Sequence, residues 1–185
     1  MPRFAVVLTS SLLVLCACSD DKPTSGATTD ISAPGTGTPG EPEGTVTYTD
    51  LDRTHVDTPV DYPQTPPVGG PHSPVWQTCQ FYDVEFPKER GVHSMEHGAV
   101  WITFDPDLAA ADVAVLAQFA ETGKEVLVSP FTGLPAPIVA SAWGKQLLIE
   151  SVTDPRLAQF VSYFDDGSQT PELNTPCSQG TTETN

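Results

Sequence analysis

Val92-His93-Ser94-Met95-Glu96-His97-Gly98-Ala99-Val100-Trp101-Ile102-Thr103-Phe104-Asp105-Pro106 is the stretch that sets the fold of this 185-residue chain. Residues 99–104 are apolar and β-branched or aromatic, which reads as a strand with Val100, Ile102 and Phe104 on one face. Asp105-Pro106-Asp107 then has the composition of a helix start, a capping carboxylate followed by a first-turn proline. On the other side of the strand, His93 and His97 stand four residues apart. Extended backbone would separate them by about 13 Å, whereas a helical turn brings their Cβ atoms to about 6 Å on one face. Gly98 suits the end of such a turn, and Met95 would then point to a different side from the two imidazoles.

Reading outward towards the C-terminus, Val113, Leu116, Ala117 and Ala120 recur at helical spacing and Gly123 ends the run. A strand is expected at 125–129 and a turn-rich loop at 130–137. Residues 138–143 and 146–151 flank Gly144-Lys145, the composition of a two-residue hairpin with glycine first. Asp154-Pro155 opens a last helix whose inner face is Leu157, Phe160, Val161 and Phe164. Strand, helix, three strands, helix predicts an α+β domain, a mostly antiparallel sheet with two helices packed on one face.

Towards the N-terminus the texture changes. Pro59, Pro63, Pro66, Pro67, Pro71 and Pro74, with Gly69-Gly70, forbid regular helix and predict a long irregular segment. Such segments tend to carry function, and this one holds His55, Tyr62, His72 and Trp76. The single globular domain is expected over 45–177, with a disordered polar tail at 178–185. Residues 19–44, rich in Ser, Thr, Gly, Pro, Asp and Glu, are expected to be a flexible linker. Arg3, the apolar run 4–14 and Leu15-Cys16-Ala17-Cys18 read as a lipoprotein signal over 1–17, with Cys18 lipidated because Ala17 before it is small. The expectation is an extracytoplasmic protein held on a bacterial cell membrane or outer membrane by its lipid anchor.

The formal charge is −16. Such an acidic chain repels phosphate backbones, which argues against nucleic-acid binding; no protein partner is specified by the sequence. Cys79 and Cys177 remain after processing, and an even count outside the cytoplasm favours a disulfide. It would close a loop of nearly the whole domain, with a stabilisation of about 4 kcal/mol on the chain-entropy account. The rival reading makes Cys79 a thiolate ligand seven residues beyond His72, but leaves Cys177 without a purpose.

All four histidines lie between residues 55 and 97. Imidazole is the commonest protein metal ligand, and a zinc or copper site needs three or four donors. The set expected here is His72, His93 and His97 with Glu96 beside them; His55 is a weaker candidate. Histidines can instead order loops by bonding backbone carbonyls, which would leave a non-catalytic cell-envelope interaction module. His-x-x-Glu-His is also the inverted zinc-protease string, with Glu96 activating water, so a metal-dependent hydrolase is the other alternative. That motif belongs in a long helix, and Gly98 leaves room for little more than one turn. There is no Gly-x-Ser-x-Gly elbow and no phosphate-binding glycine loop. Trp76, Trp101 and Trp143 read as packing residues.

Val68-Gly69-Gly70-Pro71-His72, Trp76, Cys79, Tyr82 and Val92-His93-Ser94-Met95-Glu96-His97-Gly98-Ala99-Val100-Trp101-Ile102 resemble the bacterial family catalogued as domain of unknown function 3105. So do Leu127-Val128-Ser129-Pro130, Gly133-Leu134-Pro135-Ala136-Pro137, Ala142-Trp143-Gly144 and Thr170-Pro171-Glu172. The resemblance spans about residues 57–177. It implies a secreted or membrane-attached protein and a pattern that includes His72, His93, Glu96 and His97. It implies no activity. Position 95 is commonly another apolar residue in that pattern, which counts against Met95 as a copper ligand.

Overall fold

The structure, a computed structural model, describes residue 1 and residues 40–185. The expected signal sequence, Cys18 and all but the end of the linker lie outside the described residues. Residues 40–185 all fall within one unit of the chain, which begins at Gly37.

The elements are β1 (Val46–Thr47), α1 (Lys88–Glu96), β2 (Val100–Phe104), α2 (Ala110–Ala117), a 3-10 turn (Gln118–Glu121), β3 (Val126–Pro130), β4 (Ile138–Ala142), β5 (Lys145–Ile149) and α3 (Pro155–Phe164). They build one five-stranded sheet in the order β1-β5-β4-β2-β3. Only β2 and β3 are parallel, and α2 with the 3-10 turn makes their crossover; all other pairings are antiparallel. The fold is therefore α+β.

Alternation along β2 divides the core in two. Val100, Ile102 and Phe104 join Leu116 of α2 and Leu157, Phe160, Val161 and Phe164 of α3 on one face. Trp101 and Leu127 look the other way, towards Tyr82, Phe86, Val92 and Met95. The two expected helices do share a face. The third, α1, covers the opposite face together with the irregular segment. The histidine-bearing helix is longer than one turn because it extends backwards from the histidines to Lys88, not forwards past Gly98. It reaches the sheet closely because residue 91 is glycine: a Cβ there would lie 2.7 Å from the Trp101 ring.

Three boundaries differ from the sequence expectation. Asp105 does not cap α2; its carboxylate accepts from Asp107 N at 2.8 Å and closes a turn before the helix begins at Ala110. The β4–β5 loop is Trp143-Gly144, because Ala142 pairs with Lys145, and the left-handed glycine stands second, not first. Asp154, by contrast, caps α3 as expected, accepting from Arg156 N at 2.9 Å. Residues 178–185, expected to be disordered, run along the loop beside α1: Thr181 N donates to Trp76 O at 3.0 Å and Arg90 donates to Glu183 O at 3.0 Å. Backbone groups, Arg90 and the Gln77 amide dock this segment, which a count of apolar side chains misses.

Cys79 and Cys177 are joined in a disulfide, with Cα atoms 5.7 Å apart and a sequence separation of 98. The alternative of Cys79 as a metal ligand is thereby removed. No helix among the described residues is long and apolar enough to cross a membrane.

Candidate metal centre

The irregular segment is irregular only in hydrogen-bond pattern. Glu89 accepts from Val60 N at 2.8 Å, Tyr62 donates to Pro71 O at 2.6 Å, and Gln77 N donates to the Ser94 hydroxyl at 3.1 Å. The first and last of these tie it to α1. Val56 N donates to His72 O and His72 N to Thr54 O, at 2.7 and 3.0 Å, so residues 55 and 72 lie side by side in a short parallel bridge. That pairing delivers two histidines to the face of α1 that already carries His93 and Glu96.

The result is a four-donor group. One ligand atom from each of His55, His72, His93 and Glu96 lies within 4.8 Å of every other. His72 Nε2 is 2.9 Å from Glu96 Oε2, and His55 Nε2 is 3.7 Å from the same oxygen. His72, His93 and Glu96 are buried, whereas the His55 side chain is 48% exposed and forms the open side. Tetrahedral zinc with bonds of 2.0–2.1 Å needs donor separations of about 3.4 Å. Modest side-chain movement covers the difference.

Each buried ring is aimed by a backbone carbonyl. His72 Nδ1 donates to Gly70 O at 2.8 Å, and His93 Nδ1 donates to Ser73 O at 2.6 Å. Second-layer partners at metal sites act in this way: the Nδ1 proton is fixed and the Nε2 lone pair is presented inwards. For His72 it leaves a proton deficit. A neutral imidazole has one N–H, yet this ring has an acceptor at both nitrogens, Gly70 O and Glu96 Oε2. The second contact requires another proton or a cation.

Burial pushes the His93 pKa down to about 4; the Ser73 carbonyl opposes this, and the neighbouring imidazoles add to it. Burial also lowers His97, against the pull of Glu172, Glu96 and the Pro176 carbonyl. Both rings are held neutral at pH 7, the form that ligates metal.

His97, expected in the ligand set, lies next to the group and not within it. Its Nε2 is 3.1 Å from His93 Nε2 and 3.5 Å from Glu172 Oε2, and its buried Nδ1 makes no well-formed hydrogen bond among the described residues. His55, the weaker candidate, takes its place, because the bridge to His72 could not be read from spacing. Met95 is wholly buried against the sheet and turned away from the imidazoles. Two further residues border the site: Trp76, read from sequence as a packing residue, and Glu172, which was given no role. Trp76 packs on His93 and His97 with ring centroids 5.5 and 4.8 Å away. Glu172 is brought to the end of α1 by its own N–H, which donates to Glu96 O at 3.0 Å. The only sequence signal for Glu172 was its place in Thr170-Pro171-Glu172.

Over residues 54–179 the sequence matches the family described as protein of unknown function (DUF3105). The chain belongs to that family. The match takes in all four histidines, Glu96, Glu172 and both cysteines of the disulfide, so the whole constellation lies inside the family's domain. No curated protein and no solved structure shows significant similarity to it.

Proposed function

We propose that this member of the family is a lipid-anchored extracytoplasmic protein that binds zinc or copper through His55, His72, His93 and Glu96. The carrying observation is the four-donor group itself: one ligand atom from each of His55, His72, His93 and Glu96 lies within 4.8 Å of every other, and the His72 ring, with an acceptor at each nitrogen, calls for a cation or a further proton. Three imidazoles and one carboxylate suit zinc or Cu(II). The disulfide supports an oxidising compartment, and the sequence around Cys18 supports the anchor.

Binding or delivery is favoured over hydrolysis. The inverted-protease reading needs His93 and His97 as ligands and Glu96 free as base. The geometry instead groups Glu96 with the donors and leaves His97 aside. Four protein donors fill a tetrahedral ion, while catalytic zinc keeps a position open.

The test is metal analysis of the full chain purified without a histidine tag, followed by zinc and Cu(II) titration after chelation. One equivalent should bind and raise the unfolding temperature. Second-layer changes at metal sites cost about 10–100-fold in affinity, so Glu96→Gln, which removes a ligand, should cost about 100-fold or more. No stoichiometric metal and no thermal shift with either ion would refute the reading.

A further inference from the structure

We propose that His97 and Glu172, sharing His93 with the four-donor group, form an outer loading position through which the cation reaches that group. The inference rests on the metal reading above. His93 has one nitrogen to offer, since Nδ1 is bonded to Ser73 O. The remaining Nε2 belongs to the inner group and is also 3.1 Å from His97 Nε2, which in turn is 3.5 Å from Glu172 Oε2. Those two separations bracket the edge of about 3.4 Å in tetrahedral ligation. His97 is buried to 4% exposure, and its Nδ1 lacks a well-formed partner. Its ring is turned with Nε2 towards His93 and Glu172.

Glu172 has a side chain 48% exposed, the same as His55. One half-exposed carboxylate and two buried imidazoles make a series of oxygen and nitrogen donors that starts at the surface. Because both sets need the same His93 lone pair, they cannot be filled together. One cation binds per chain, first at the outer set and then at the inner one. The inner set holds it longer, with four donors against three.

Cu(II) uptake followed by tryptophan fluorescence tests this, since Trp76 packs against His97 and His93 and Trp143 lies with its ring centroid 5.8 Å from that of His72. The full chain should bind one equivalent in two phases. The first should accelerate with Cu(II) concentration, and the second should not. Glu172→Gln, at an exposed side chain, should slow the first phase about tenfold while changing equilibrium affinity less than twofold, and His97→Ala should abolish it. A single phase in the parent chain, two equivalents bound at once, or uptake unchanged in both variants would overturn the loading position while leaving the inner site standing. No Cu(II) binding at all would overturn both.

Discussion

The sheet with α2 and α3, and the segment from Tyr48 to α1, share a buried apolar interior but differ in what else holds them. In the first, stability comes from apolar area: β2, β3 and β4 are buried at every position, and Leu157, Phe160, Val161 and Phe164 close the face. In the second, a cluster that includes Tyr82, Phe86, Val92 and Met95 is joined by hydrogen bonds from scattered polar groups, such as Val60 N to Glu89 and Gln77 N to Ser94, and by the disulfide at Cys79. Apolar packing is non-directional and cannot aim a polar atom. Directed hydrogen bonds can orient an imidazole nitrogen. Regular structure dominates the first region, and the candidate centre takes two of its four donors, His55 and His72, from the irregular part of the second.

The sharpest way to break this division is to damage the apolar side. Phe160 is wholly buried in the α3 face. Phe160→Ala should cost about 3–5 kcal/mol, the usual range for a core aromatic. Denaturant unfolding measures it. In the fraction that remains folded, zinc affinity should match the parent chain, because the donors of the centre lie on the other side of the sheet. A parallel loss of affinity would show that the two regions are not separable.

The same division explains what could be read from sequence. Strand β2 and helix α3 were legible because burial imposes a period, two along Val100, Ile102 and Phe104 and 3.6 along Leu157, Phe160, Val161 and Phe164. The Asp154 cap was legible because its partner is two residues away. His93 and Glu96 were legible because they share one helix face. The pairing of His55 with His72 was not, since it depends on two backbone hydrogen bonds between distant parts of a proline-rich chain. Glu172 was hidden for the same reason, being positioned by a bond from its N–H to the carbonyl of Glu96. Wherever position follows from local repetition the sequence is readable; where it follows from a single long-range bond it is not.

Acid should separate the two regions by a smaller effect. In the folded, metal-free protein His93 is depressed to about 4 and His97 is lowered with it, both chiefly by burial. Unfolded, each returns to about 6.5. Between those values the unfolded chain binds more protons than the folded one, so stability falls as pH drops from above 6.5 through 4. Glu125, raised by burial, acts in the opposite sense, since its folded carboxyl takes a proton first. The urea midpoint should therefore be lower at pH 4.5 than at pH 7, in the parent chain and in Phe160→Ala alike. The fall should be smaller in His93→Gln. An identical fall in His93→Gln would mean that the buried imidazole is not the group being titrated.

The smallest stability change is expected at His55, and it discriminates most finely. Its backbone neighbours pair with residue 72 through Val56 N and Thr54 O, and neither bond involves the imidazole. Its side chain is half in solvent. His55→Ala gives up a half-exposed stacking contact with the His93 ring and should leave the metal-free protein within about 1 kcal/mol of the parent, the small end of substitution effects. Metal retention should behave differently. Losing the one donor on the open side leaves His72, His93 and Glu96 facing solvent, so zinc should pass to a competing chelator faster by roughly the tenfold or more that a perturbed metal site loses in affinity. A loss of about 2 kcal/mol without metal, the scale of a lost packing or hydrogen-bonding role, would place His55 among the groups that hold the irregular segment together. The contrast between a region that folds the chain and a region that arms it would then fail at the residue where it is most exposed.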